Sequence, residues 1–367
     1  MLLPTVSANG GLTSAWDSKQ PYRGRSDETL TGEAGLTLRL FDGTAFPAIA
    51  AAKSQYGASE RAGRDLRRST AFTVASSYLT VLTAERLLGV AHRRLEVAQQ
   101  LLEEARARLK AGLAIASDVT RAEVEVASGQ LSITKANRAI AVGRFSLQAA
   151  MGGLEPGTLE SPAIAAPGER PIAELLAEAN QRRDDLAAAR LTVESGRSRV
   201  DVIRRDNWPV LGARAGVRDS DSNAPRVVPQ TDPEWYAGVT ANWTLWDGGL
   251  RSGRIQEQEG VVSEQRANVR ERELTVEREV RSAVVDIQAA ETAVVQAEVL
   301  SRSAAADGAD FLARYRAGTA TATELADAQL RSAEADADLE QRRIDVLSSR
   351  LILSQSLGHW PMTMNEP

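Results

Sequence analysis

The sequence predicts an α+β chain in which paired amphipathic β-strands alternate with long antiparallel coiled-coil α-helices, the whole plan occurring twice. Three observations predict it. A seven-residue seam of large aliphatic residues, with a small residue three positions on, runs through the long stretches. Four stretches of about ten residues alternate apolar and polar side chains. Matched features recur 206 positions apart, as from Gly112 to Gly318, which marks an internal two-fold repeat.

The first repeat covers residues 1–161. Its strands are read at 2–16 and 29–41. In the first, Leu2, Pro4, Val6, Ala8, Leu12 and Trp16 oppose Thr5, Ser7, Asn9 and Thr13. In the second, Leu30, Ala34, Leu36, Leu38 and Leu40 oppose Thr29, Thr31, Glu33, Thr37 and Arg39. Leu40-Phe41-Asp42-Gly43 ends the strand, and a long helix follows over 44–111 with the seam Val74, Val81, Leu88, Leu95, Leu102 and Leu109. Ala84, Ala91, Ala98 and Ala105 follow that seam, a pattern that lets two helix axes approach closely. At 1.5 Å per residue such a helix is roughly 100 Å long. The tip at 112–118 breaks it, and the helix at 119–151 resumes with Val119, Val126, Ile133, Ile140 and Leu147, trailed by Ala122, Gly129, Ala136 and Gly143.

A Pro- and Gly-rich connection takes 162–171, and the second repeat takes 172–367. It is read as a helix at 172–207, strands at 208–219 and 235–247, a long helix at 250–317, a tip at 318–324 and a helix at 325–357. Leu245-Trp246-Asp247-Gly248 echoes the first strand exit. Val280, Ile287 and Val294 repeat the seam, with Ala290, Ala297 and Ala304 beside it. By the logic of the repeat, about 35 helical residues and an export signal are expected upstream of Met1; the first residues of the chain do not themselves read as a signal peptide.

At both tips glycine supplies the left-handed residue that ends a helix. Ser117 and Thr323 are read as N-caps of the helices that follow, with Asp118 and Glu324 near the positive helix ends.

Composition narrows the function. Of 367 residues, 44 are basic and 49 acidic, so there is no basic excess for nucleic acid. Cysteine is absent, which removes disulfides and thiolate metal sites. The two histidines, His92 and His359, read as boundary residues. Asp247-Gly248-Gly249-Leu250-Arg251 lacks the lysine and spacing of a phosphate loop. No nucleophile–base pair stands out. No apolar run is long enough for a transmembrane helix.

The strands point to a membrane all the same. The long helices offer no free apolar stripe to cover them, and one-sided apolar strands of about ten residues suit a transmembrane β-barrel. Trp16, Trp208, Trp235, Trp243 and Trp246 stand in or at the ends of the strands, where an aromatic girdle belongs. Glu33, Arg39, Arg214 and Arg218 fall on the polar side, toward a lumen or its rim. Four strands are too few to close a barrel, the smallest having about eight, so the barrel is shared between copies. The rival reading is a soluble or surface coiled-coil scaffold without transport activity, for which the four amphipathic strands have no use.

The two Asp-Gly strand exits, the heptad helices and the tip motif of Arg314-Tyr315, Gly318, Glu324-Leu325 and Asp327-Ala328-Gln329 resemble the TolC-like outer-membrane efflux protein family. The resemblance covers essentially the whole chain. It implies a homotrimer in the bacterial outer membrane with a 12-stranded barrel and a helical periplasmic tunnel. It also implies docking to a periplasmic adaptor and an inner-membrane transporter, and passive conduction without cofactor or catalysis. By the same resemblance Asp118, Tyr315, Glu324 and Asp327 fall at gate positions, and Gly112 and Gly318 shape the tips that meet the adaptor. Where the family places a tip arginine this chain has Ala320, and Arg121 or Arg316 is the substitute counter-charge. The exit Leu38-Arg39-Leu40-Phe41-Asp42-Gly43 resembles the type I secretion branch.

Overall fold

The computed structural model describes residues 4–15, 27–162, 164, 168, 170–222 and 233–361. The elements run β1 (Thr5–Ala15), β2 (Asp27–Phe41), α1 (Ala45–Lys110), α2 (Ala116–Ala150), α3 (Ile172–Arg182), α4 (Asp184–Arg205), β3 (Val210–Ser222), β4 (Glu234–Asn242), α5 (Leu250–Arg316) and α6 (Ala322–Ser356). They form two compact units, one from residues 1–58 and 189–268, the other from 59–188 and 269–367.

The first unit holds a four-stranded antiparallel sheet in the order β1-β2-β3-β4. Its register joins the four alternations into two continuous faces. One row reads Val6, Leu36, Ala215 and Ala237; the next reads Ala8, Ala34, Val217 and Trp235. This face is apolar, and it is open: Val6 is 79%, Val239 72% and Trp235 81% exposed. The other face is polar, with Glu33 opposite Arg218 and Thr37 opposite Arg214. There the Tyr236 ring crosses Gly216 and Gly35, its hydroxyl donates to Glu33 Oε1 at 2.6 Å, and the Arg214 and Arg218 guanidiniums flank it. A side chain at Gly216 would meet that ring, its Cβ falling 2.6 Å from the tyrosine oxygen. Among the described residues β1 and β4 are the edges of the sheet, each paired on one side.

Both strand exits start helices by the same chemistry. Asp42 accepts from the Thr44 amide and hydroxyl at 3.0 and 2.6 Å, and from Arg39 at 2.9 Å. Asp247 accepts from the Gly249 and Arg251 amides at 3.0 and 2.9 Å. Each carboxylate thereby satisfies amides that the first turn leaves orphaned. Trp208 stacks on Phe41 with ring centroids 6.2 Å apart and lies against Gly43. The strand read at 235–247 ends earlier, at Asn242. Beyond it Trp243 turns to donate its indole N–H to Asn207 O at 2.9 Å. Of the expected girdle, Trp208, Trp235, Trp243 and Trp246 are exposed, and Trp16 lies outside the described residues.

In the second unit the seam is buried at several positions, while Leu109 at its end is exposed. Val81, Leu102, Val280 and Ile287 are buried, and so are Ala84, Ala91, Ala98, Ala105 and Ala297. The small positions bring α1 and α2 close: a Cβ on Gly143 would stand 3.0 Å from Val81 Cγ2, and one on Gly129 3.2 Å from Leu95 Cα. Two apolar clusters result. Phe72, Ala75, Leu79 and Leu82 of α1 meet Ile344 and Leu351 of α6. Leu175 and Ala179 of α3 meet Val276, Val280, Ala283 and Ile287 of α5 and Leu353 of α6.

The helix read at 172–207 is in fact two. Arg183 is extended, at φ −70° and ψ 114°, between α3 and α4. Its guanidinium is held by Asp185 at 2.9 Å and by Glu279 of α5. Gly358 packs against the Arg182 backbone, so the break is fixed by tertiary partners and not by a local helix breaker. His359 is a boundary residue as read, its Nε2 lying 2.7 Å from Glu178 Oε1.

Candidate functional site: the paired hairpin tips

α1 and α5 end in the same way. Gly112 and Gly318 have φ of 73° and 74°, the left-handed conformation that costs a side chain about 1–2 kcal/mol. The Gly112 amide donates to Leu109 O and the Leu113 amide to Arg108 O; Gly318 and Thr319 repeat this with Tyr315 O and Arg314 O. These paired bonds are the Schellman closure, which satisfies the last carbonyls of each helix.

The next helices start one turn nearer than expected. The N-caps are Ile115 and Thr321, and Ser117 and Thr323 already lie in the first helical turns. Thr321 forms a full capping box. Its hydroxyl accepts from the Glu324 amide at 3.2 Å, and the Glu324 carboxylate accepts from the Thr321 amide at 2.8 Å. Those bonds hold the Glu324 carboxyl below its ordinary value. Ile115 has no side-chain acceptor, so the first tip keeps only the reciprocal half, the Asp118 carboxylate accepting from the Ile115 amide at 3.3 Å.

The structure brings Asp118 and Tyr315 to one concave surface between the tips, with Gly112, Gly318, Ala320 and Thr321 around it. Tyr315 is 8% exposed. Burial first, and the nearby Asp118 carboxylate second, push its phenol above the usual value, so it stays protonated. Behind them a cavity of about 260 Å³ is lined by Val97, Leu101, Arg121, Leu325 and Gln329 among others. Arg121 is exposed at its edge, on the same side as Asp118. Arg316 is turned elsewhere, paired with Glu104 of α1 at 3.1 Å. Glu324 is exposed on its cap, and Asp327 is exposed one turn further along α6.

Sequence reasoning missed Arg108. Its guanidinium lies 4.7 Å from the Tyr315 ring centroid, and it donates to Tyr315 O at 2.7 Å and Arg316 O at 3.2 Å. Its repeat counterpart Arg314 pairs instead with Asp310 of its own helix at 2.8 Å, so position in the repeat gave no signal of the contact. Also missed were Leu113 and Ile115, which stand 73% and 67% exposed at the first tip. Among the described residues no cluster of three metal-ligating side chains occurs.

Comparison with known proteins bears on the family and the fold. Residues 1–153 and 175–359 match the outer membrane efflux protein family. Protein CyaE of Bordetella pertussis is 27% identical over 264 residues, covering 70% of this chain and 55% of its own length. Outer membrane protein TolC of Escherichia coli is 20% identical over 382 residues, covering all of this chain and 76% of its own. The solved structure of CusC superposes with a TM-score of 0.82 at 17% identity, over 97% of this chain and 83% of that one, which shows a shared fold. Four strands with an open apolar face, two long helical hairpins and twin glycine tips thus occur together in a chain that belongs to the outer membrane efflux protein family.

Proposed function

We propose that this chain is the outer-membrane exit channel of a tripartite efflux or type I secretion system. The sheet carries the reading. Its open apolar face suits lipid, and two unpaired edges are intolerable in a bilayer unless they pair with other chains. Three copies of a four-stranded sheet close a 12-stranded barrel, with the Glu33, Arg214 and Arg218 face toward the lumen. The helical hairpins then extend into the periplasm and end in the tips. The duct is passive, since cargo is driven by the inner-membrane transporter through the adaptor. The exposed Leu113 and Ile115 beside Gly112 suit an apolar contact with that adaptor.

Asp118, Tyr315, Glu324 and Asp327 form the periplasmic gate. Like charges from three copies repel at close range, and an acidic ring favours cations. Planar-bilayer recordings test this: the resting channel has small, cation-preferring conductance, and Asp118→Ala with Asp327→Ala weakens that preference. Tyr315→Phe with Arg121→Ser raises conductance. An acidic double variant with unchanged conductance and selectivity would reduce these carboxylates to caps and surface charges.

A further inference from the structure

We infer that Arg108 and Arg316 form a reciprocal clasp that fastens the two hairpin tips of one subunit together and keeps the aperture closed, with Arg108 as the residue that positions Tyr315. The inference rests on the channel reading above. Four observations meet at one place. Arg108, near the end of α1, reaches across to the last turn of α5 and donates to two successive carbonyls, Tyr315 O and Arg316 O. The same guanidinium covers the Tyr315 ring at 4.7 Å. Arg316 returns from α5 to α1, its Nε and Nη2 on the Glu104 carboxylate at 3.2 and 3.1 Å. Both arginines stand at helix C-termini, where the backbone dipole favours cations.

The geometry sets this clasp apart from the carboxylate gate. Arg108 takes backbone carbonyls, which do not titrate and which no side-chain change at Asp118, Glu324 or Asp327 removes. A planar fork over an aromatic ring, with two parallel donors, is a task for arginine; lysine supplies one point charge and neither the fork nor the stacking. The Tyr315 and Arg316 carbonyls belong to the last turn of α5, and Tyr315 O accepts from the Gly318 amide at 3.1 Å as well as from Arg108. Separating the tips therefore exposes the Tyr315 ring, takes the Arg108 donors from two carbonyls and breaks the Arg316–Glu104 ion pair in one movement. Arg314 supplies an internal control. It occupies the matching place in the second repeat, yet it bonds Asp310 and covers Phe311 within its own helix.

Planar-bilayer recordings of the purified channel test the assignment. Arg108→Gln should raise the occupancy of the conducting state about tenfold, the scale of a charge-assisted hydrogen bond in an equilibrium constant. Arg108→Lys should restore part of the closure, and Arg314→Gln should match the unaltered chain. The rise should persist in an Asp118→Ala background. Resting conductance unchanged by Arg108→Gln, or raised equally by Arg314→Gln, overturns the assignment. Should Arg108→Gln fail to assemble, a second variant decides. The chain has no cysteine, so Glu104→Cys with Arg316→Cys offers the only thiols. That variant should leak, and bridging it with a bismaleimide should return it to the resting level; a leak that persists after bridging overturns the clasp. An unaltered chain that never conducts overturns the channel reading, and the clasp with it.

Discussion

Placing arginine on alternate sides of β4 measures which face meets lipid. Ala237 lies opposite Ala215, in the row completed by Leu36 and Val6. Val239 lies one row nearer the helices, opposite Ala213. On β3 the apolar rows run from Leu211 to Val217, and Asp219 and Asp221 follow on the same side, which marks the outer limit of the band. At about 3.4 Å per residue the rows span roughly 20 Å, with Ala237 and Val239 on either side of their centre. Arginine costs about 2–4 kcal/mol at the midplane of a barrel and about 0–1 at its edge. Ala237→Arg should therefore cost about 3 kcal/mol, or roughly a hundredfold in the insertion equilibrium. Val239→Arg should cost the same ~3 kcal/mol, and Thr240→Arg, on the polar face, close to nothing. The assay is the fraction of chain recovered as membrane-inserted trimer from phospholipid vesicles across a urea series. Equal tolerance at positions 237, 239 and 240 would refute both the lipid face and the barrel.

Gly318→Ala should destabilise the tip by about 1–2 kcal/mol through its positive φ alone, because no atom lies within 4 Å of the added Cβ; thermal melting of the trimer reads it, and Gly318→Asn should lose less. Ile115→Thr should stabilise α2 by about 1 kcal/mol by completing the half-formed capping box, and a lower melting temperature would show the N-cap to lie elsewhere. Burial works against the charge on Asp185, and the Arg183 guanidinium outweighs it, leaving the carboxyl below its ordinary 3.8. A depressed carboxylate stabilises the fold above its unfolded value and loses that contribution as pH falls through the folded one. Asp185→Asn should accordingly narrow the stability gap between pH 7 and about pH 3, and an unchanged pH profile would show the ion pair to be neutral for stability.

How far the fold was legible follows from what fixed each part. The seam was legible because a heptad with alanine or glycine beside it has one use, close helix packing, and Gly143 against Val81 shows that use. The sheet was legible because antiparallel register carries alternation from strand to strand, so four separate patterns had to add to two faces. The break at Arg183 was not legible. Nothing local ends the helix there, and the partners that hold it, Glu279 and Gly358, are distant in sequence. The displaced N-caps have a different cause. Both loops run from a left-handed glycine to a residue three positions on, at ψ 158° and 157°, although one is Ile115 and the other Thr321.

Identical geometry from unlike residues means that the Schellman closure and loop length place the helix start, and the side chain at the cap only tunes its stability. The acidic positions inherit that placement. Asp118 and Glu324 are both the third residue of their helices, so each already gives a carboxylate oxygen to a cap. Asp327 sits a turn beyond, with no such bond among the described residues. Three carboxylates of the two tips are thereby divided by helix position alone: Asp118 and Glu324 each close a cap, and Asp327 closes none.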